Sequence, residues 1–421
     1  MSEALEKARA AKAASVSLAQ AGARGRTEAI RAAAAAVEAH RDDILAANAA
    51  DMARGRETGM PEPLLDRLML DDARLSGIVS AMREVAVQHD PIGEVVGGRT
   101  LDSGIRLTRV RVPLGVVAMV YEARPNVTAD AICLTLRSGN ACVLRGGTAA
   151  HDSCVAIAAA CREGIAASGL PADCATLIES PDRAETVELM GAVGLVDVLI
   201  PRGGHSLIRA CVEQARVPVI QTGEGNCHVY VEATADQDMA LSIIKNAKTQ
   251  RPGVCNAIET VLVDDVVAPE FLPRLVEACA SWGVTVHGDD ATLRAASSDA
   301  ARGAVVAATE VDWAREYGSL DLAVRRVAGV DAAIEHVNRF STHHSECIVT
   351  RDTAAADAFL ARVDAAAVYV NASTRFTDGG MFGLGAEIGI STQKLHVRGP
   401  MGAEALTTTK CLLRGDGQVR A

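Results

Sequence analysis

No run in this 421-residue chain approaches the about 20 uncharged apolar residues that a membrane-spanning helix requires. Positive charge is not in excess either: 42 Lys and Arg stand against 53 Asp and Glu, a formal net charge of -11. The whole-molecule field therefore draws neither nucleic acid nor an anionic membrane, and an anionic ligand must be held by a local site. The eleven cysteines include no Cys-x-x-Cys pair. The N-terminal stretch is rich in Ala, Lys and Arg, but Glu3 and Glu6 interrupt it and no apolar secretory core follows. Reduced thiols in a cytoplasmic protein are expected, most of them inert core residues and one open to reactive use. Also missing are a Gly-x-Gly-x-x-Gly after the first strand, a phosphate-binding Gly-x-x-x-x-Gly-Lys-Ser/Thr loop, a His-Glu-x-x-His pair and a Gly-x-Ser-x-Gly elbow. The nearest metal-like group, His343-His344 with Cys347, has the spacing of no common zinc site, and no metal is expected.

What is present is a chain of 49% hydrophobic and 23% charged residues, the profile of a globular protein. Its length suits about two or three domains of roughly 100 to 200 residues. From Ser2 to His89 the pattern is helical, with Ala-rich stretches such as 31–37. Pro91 and Gly97-Gly98 end it, and residues 93–96 and 105–112 read as two strands around a turn at Asp102-Ser103-Gly104. From Gly115 short apolar runs alternate with helical stretches, as in βα units. Strands are expected at 116–121, 142–144, 175–178, 196–200 and 217–220, and helices at 129–136, 152–167, 183–190 and 206–215. A second α/β block opens near Gly223 with a helix over 236–248, a strand over 258–263 and a helix over 269–280. A Gly-rich segment, 378–389, closes it, and 405–413 reads as a final strand.

The informative segment is Thr249-Gln250-Arg251-Pro252-Gly253-Val254-Cys255-Asn256, between a helix and a strand. A Cys on irregular, Pro- and Gly-containing backbone can face a ligand with free amides beside it. The residue type alone leaves two readings open, a nucleophile or a small apolar filler.

Gln250 to Asn256 resembles the nucleophile loop of the gamma-glutamyl phosphate reductases, the glutamate-5-semialdehyde dehydrogenase branch of the aldehyde dehydrogenase superfamily. Similar to that family as well are Val112-Pro113-Leu114-Gly115-Val116, Tyr121-Glu122-Ala123-Arg124-Pro125-Asn126 and Glu316-Tyr317-Gly318-Ser319-Leu320-Asp321. Asn371-Ala372-Ser373-Thr374-Arg375-Phe376 and the run from Phe382-Gly383 to Gly399-Pro400 complete a likeness that follows nearly the whole chain in order.

The resemblance implies an α/β fold of aldehyde dehydrogenase type, with three parts. A Rossmann-like NADP-binding domain would comprise 1–92 and 113–222, with 376–400 returning to it. An α/β catalytic domain would span 223–375, and a small β oligomerisation element would combine 93–112 with 401–421, pairing between subunits of a homo-oligomer. The family holds its dinucleotide without the glycine fingerprint, so that absence is no objection. The implied reaction is reduction of L-glutamyl 5-phosphate by NADPH to the 5-semialdehyde in proline biosynthesis, with a glutamate 5-kinase as a possible associate.

Residue by residue, the resemblance implies that Cys255 is the nucleophile and that Asn126 donates to the oxyanion, against an ordinary helix cap. Arg145 would meet the 2′-phosphate of NADP, against a solvated strand end. Pro201, Arg202, Gly203, Gly204, His205 and Ser206 open a helix whose amides suit a phosphate. Glu316 would bind the nicotinamide ribose, and Arg124, Arg251, Arg375 and Lys394 are candidates for the substrate's carboxylate or phosphate. Where acid-forming relatives carry a general-base Glu, this chain reads Thr222-Gly223-Glu224-Gly225, with Thr222 in that place by ungapped reading. Two rival readings are a coenzyme A-dependent acylating dehydrogenase, which also uses a thioester without a base, and a catalytically silent scaffold.

Overall fold

Alanine-rich helices open the chain because Ala has the highest intrinsic helix propensity and its small side chain lets helices approach closely. In the computed structural model, which describes residues 2–420, they run Glu3–Gln20, Ala23–Ala39, Arg41–Glu57, Glu62–Leu68 and Asp72–Val87. Ser2 caps the first, its hydroxyl accepting from the Leu5 amide at 3.4 Å, and Asp71 caps the last through Arg74 at 2.7 Å. On Ala23–Ala39 the buried face is Ala29, Ile30, Ala33, Ala34 and Val37. The helix His151–Ala167 lies so close to it that a Cβ on Gly164 would come within 2.4 Å of the Ala32 carbonyl oxygen.

Beneath these helices is a four-stranded parallel sheet in the order Ala175–Leu177, Ala141–Gly146, Val116–Tyr121, Val198–Arg202. Its central strands are buried along their whole length, as expected of apolar runs covered on both faces. Val116, Ala118, Val143 and Leu199 form its core with Ala4, Ala8 and Ala11 of the first helix. The chain leaves Val116–Tyr121 for the neighbour on one side and reaches the other side only later. The carboxyl ends of these strands therefore form a topological switch point, the usual ligand crevice of open α/β sheets. The strand expected over 217–220 is reduced to a single bridge, Leu199 to Val219. Pro218 has no N–H to extend the ladder, although its carbonyl accepts from Leu199 at 2.8 Å.

A separate three-stranded antiparallel sheet joins Val95–Thr100, Arg106–Pro113 and Thr407–Arg414. The hairpin and the C-terminal strand thus pair within one chain, from Thr407 with Pro113 to Arg414 with Arg106. This corrects the expectation that they would pair between subunits: Arg106–Pro113 finds both of its neighbours in its own chain.

The second block holds a seven-stranded sheet, ordered Val305–Ala307, Thr285–Gly288, Asp321–Val327, Ile258–Asp264, Cys227–Val231, Ser345–Val349, Ala367–Val370, with every pair parallel. Helices Gln237–Thr249 and Ala268–Ser281 pack on it through Ile244, Ala247, Phe271 and Leu275, and Gly329–Phe340 and Thr353–Arg362 through Ile334, Val337 and Phe359. The chain divides into two compact units: one runs to Thr222 and takes in Gly383–Gly389 and the stretch from Pro400 onward, the other is Gly223–Phe382 with Ile390–Gly399. The return expected over 376–400 is accordingly limited to Gly383–Gly389 and Pro400. No helix among the described residues is long and apolar enough to cross a membrane.

Candidate active site

The helix Gln237–Thr249, capped by Asp236, stops where Pro252 follows, and the strand Ile258–Asp264 begins six residues later. Between them the Ala257 amide donates to the Val254 carbonyl at 3.0 Å, turning the backbone around Cys255. The second half of the loop is tied to residues 374–377. Thr374 Oγ1 donates to the Asn256 carbonyl at 2.7 Å, and Asn256 Nδ2 to the Thr377 carbonyl at 2.9 Å. Arg375 donates to Gln250 Oε1 at 3.0 Å and also to Asn256 Oδ1. Gly225 lies against the backbone of Cys255: a Cβ there would fall 1.5 Å from the Cys255 carbonyl oxygen. That oxygen accepts from the Cys227 thiol at 3.2 Å.

Nine of the eleven cysteines are buried. Burial pushes Cys142, Cys154 and Cys211 up to about 11 and Cys161, Cys174, Cys279 and Cys347 up to about 12, so these thiols stay protonated and inert. Cys255 is half-buried, and Cys411 is exposed on the C-terminal strand. Arg375, whose own pKa is lowered by burial, interacts electrostatically with both Cys255 and Arg251. A guanidinium beside a thiol favours the thiolate, the reactive form.

Of the residues expected to hold substrate, Arg251 and Arg375 therefore adjoin the Cys255 loop. Lys394 does not stand open: its ammonium is 2.5 Å from Asp364, which Arg398 also contacts at 2.8 Å. Those bonds, Lys394 first, hold the Asp364 carboxyl below the usual range. Glu316 is exposed, two residues before Gly318, whose amide donates to Glu259 at 3.2 Å. The metal-like trio is dispersed into the fold: His343 Nδ1 meets the Asp364 carbonyl at 2.6 Å, His344 Nδ1 meets Ser345 Oγ at 2.8 Å, and Cys347 lies inside Ser345–Val349.

In the first unit Arg124 occupies the turn before Asn126–Arg137. Asn126 is exposed and is the first residue of that helix rather than its cap; its Nδ2 donates to Asp130 at 3.0 Å. Burial pushes Asp130 up to about 6, against the Asn126 bond and the Arg202 charge. Arg145 is not a solvated strand end. It is buried at 6% exposure and donates to the carbonyls of Gly146 and, at 3.0 Å, Pro181. At the turn before the helix His205–Gln214, Gly204 donates its amide to the Glu122 carboxylate at 2.9 Å, and a Cβ on Gly203 would lie 2.7 Å from the Glu122 carboxyl carbon. The Pro201 carbonyl accepts from Thr222 at 2.8 Å. Ser206 follows in the first turn of that helix, with His205 at its first position. Glu122, which holds the Gly204 amide at this turn, was not singled out from the sequence. No local spacing links it to Gly204; only the parallel pairing of Tyr121 with Arg202 does.

The aldehyde dehydrogenase family profile matches residues 1–319. A gamma-glutamyl phosphate reductase of Thermobifida fusca (strain YX) is 52% identical over 393 residues, covering 93% of each chain. One of Moorella thermoacetica is 54% identical over 395 residues, 94% of this chain and 93% of that one. The crystal structure of gamma-glutamyl phosphate reductase from Thermotoga maritima superposes with a TM-score of 0.95 at 45% identity, covering 100% of both chains. With that likeness running through the Cys255 loop and both units, the chain belongs to the aldehyde dehydrogenase family, in its gamma-glutamyl phosphate reductase branch.

Proposed function

We propose that this enzyme reduces L-glutamyl 5-phosphate to L-glutamate 5-semialdehyde with NADPH, releasing phosphate, through a thioester on Cys255, in proline biosynthesis. The observation that carries the reading is that Cys255, one of two cysteines that are not buried, sits on an irregular loop hydrogen-bonded to residues 374–377 and within the field of the Arg375 guanidinium. The thiolate attacks the acyl carbon, the C–S bond forms as the C–O bond to phosphate breaks, and phosphate leaves. Asn126, with the Cys255 amide, is the oxyanion donor in this reading, a contribution worth about 3 to 4 kcal/mol. Arg251 and Arg375 supply the positive charge that a phosphorylated, carboxylate-bearing substrate requires.

A nicotinamide cofactor fits the first unit. Arg145 and Arg202 lie toward the carboxyl ends of Ala141–Gly146 and Val198–Arg202, the two strands that flank Val116–Tyr121, and the helix His205–Gln214 starts just beyond Arg202, which supports a dinucleotide phosphate at this switch point. Bound NADPH supplies the hydride that takes the thioester to the aldehyde. Arg145 and residues 201–206 would hold its phosphates, with Arg145 favouring the 2′-phosphate, and Glu316 would hold the nicotinamide ribose. The remaining assignments belong to the same reading: 1–92 and 113–222 as the NADP-binding domain, 223–375 as the catalytic domain, a cytoplasmic homo-oligomer, and association with a glutamate 5-kinase.

The test runs the reaction backwards. Thr222 stands where acid-forming relatives carry a Glu, and a hydroxyl is no base near neutral pH, whereas a positioned base contributes roughly 100- to 10,000-fold. Semialdehyde and NADP should give sustained NADPH only when phosphate or arsenate is present to take the acyl group. Steady turnover to free glutamate without either anion would show that Glu224 activates water and that the enzyme is hydrolytic. Turnover supported by coenzyme A in place of phosphate would favour the acylating rival.

A further inference from the structure

Directly under the nucleophile loop lies an ion pair that the proposed chemistry does not use. Lys248, in the last turn of Gln237–Thr249, and Glu259, the second residue of Ile258–Asp264, both have fully buried side chains, with Nζ 2.5 Å from Oε2. Nζ also donates to the Ile258 carbonyl at 3.0 Å and lies 6.0 Å from the centre of the Tyr317 ring. The other Glu259 oxygen accepts from the Gly318 amide at 3.2 Å.

Three segments therefore meet at one pair of charges: the helix that enters the Cys255 loop, the strand that leaves it, and the 316–321 loop that carries Glu316. Tyr317 extends the third arm, donating to Asp312 at 2.8 Å and stacking on His287 at 4.8 Å. His287 in turn meets Asp321 at 2.9 Å. Burial dominates the titration of both partners, lowering Lys248 and raising Glu259, and the nearby Glu316 charge adds to the rise at Glu259. Such a pair is a poor device for stability alone. Desolvation of two buried charges offsets most of their attraction, and apolar residues of similar volume typically serve a fold as well or better.

We propose that Lys248 and Glu259 are positioning residues: their buried contact fixes both ends of the nucleophile loop and, through Gly318, holds the Glu316 loop in register with it. Cys255 and the carboxylate assigned to the cofactor ribose are thereby placed by one element. The inference rests on the reading of Cys255 as nucleophile and Glu316 as cofactor ligand.

The decisive variant is the double substitution Lys248→Met with Glu259→Met in the full-length enzyme, because removing both charges together leaves neither buried without its counter-charge. Cys411→Ser in the background removes the exposed competing thiol. The double variant should keep a cooperative unfolding transition near that of its parent. Its Cys255 should nonetheless react with iodoacetamide about tenfold more slowly, with a KM for NADPH raised by about the same factor, since small displacements of reacting groups have effects of that size or larger. An unchanged alkylation rate and KM would overturn the proposal and leave the pair a structural feature. Should the double variant fold poorly, hydrogen exchange on Glu259→Gln decides: amides of 250–257 and 316–320 should exchange faster together, and faster exchange in only one loop would overturn the coupling. Cys255→Ser separates the two levels. If it still turns over, the reading of the site fails; if it is inactive while the double variant behaves like its parent, only the positioning role fails.

Discussion

At the scale of single residues, Cys255 concentrates the chemistry. Serine at this position keeps nearly the same volume on a half-buried turn, so Cys255→Ser should fold and unfold like the parent protein. It should lose essentially all reductase activity, because a serine hydroxyl without an adjacent base is a weak nucleophile at neutral pH. Activity of more than a few per cent of the parent in a coupled NADPH assay would remove Cys255 from the mechanism. Alkylation offers a second check: Cys411 is also exposed, so peptide mapping should show that inactivation tracks labelling of Cys255 and is indifferent to Cys411→Ser. This residue was legible in the sequence because Pro252-Gly253 marks an irregular, accessible backbone ahead of a strand. Glu122 and Glu259 were not. Glu122 meets Gly204, 82 residues away, and Glu259 meets Gly318, 59 away, besides the nearby Lys248; only the parallel pairing of strands brings the distant positions together. Arg145 was placed at the correct strand end, yet its burial among backbone carbonyls leaves no trace in composition.

At the scale of elements, close approach is the controlling variable where Ala23–Ala39 meets His151–Ala167. A methyl on Gly164 would press into the Ala32 carbonyl at 2.4 Å and into the Ala33 Cα at 2.6 Å, and backbone cannot rotate away as a flexible side chain can. Gly164→Ala should therefore destabilise the first unit by about 1 to 3 kcal/mol, the usual range for overpacking, even though alanine raises helix propensity. Urea unfolding followed by circular dichroism measures this; a variant as stable as the parent would mean that the two helices can separate freely. The same scale shows where sequence patterns succeed. Strands at 116–121, 142–144 and 258–263 were legible because continuous apolar runs sit between turn residues, and the helix over 183–190 agrees with Arg183–Met190. Asp321–Val327, Ser345–Val349 and Ala367–Val370 were not identified. The first carries Arg325 and Arg326, and the second hides Glu346 in the core, where its carboxylate accepts from the His228 amide at 2.8 Å. Burial raises the Glu346 pKa and pushes His228 down to about 3, and the His228 ring nitrogen lies 3.0 Å from the Glu346 carboxyl; a charge pattern read from sequence does not register a polar pair inside the sheet.

At the scale of the whole molecule, the three-stranded sheet poses the remaining physical problem. Arg106–Pro113 is satisfied on both sides, but Val95–Thr100 and Thr407–Arg414 each offer an outer edge, and nearly every residue in them is exposed. Val95 and Leu413 are 62% and 56% exposed at those two edges. Strand edges carrying exposed apolar side chains pair with other strands unless charge, proline or a cover prevents it. In the proposed homo-oligomer this element would partner whole chains through an open edge rather than borrow a strand to complete its sheet. Light scattering on the purified enzyme at micromolar concentration should report a homo-oligomer. Lysine placed singly at Val95 or at Leu413 should lower the measured mass at whichever edge forms the interface, and leave it unchanged at the other. Neither position belongs to the proposed site, so reductase activity per chain in the dissociated variant shows whether assembly is needed for turnover. A parent protein that is monomeric and fully active at that concentration would mean that both edges stay open in solution, and that the net charge of -11 alone keeps the chains apart.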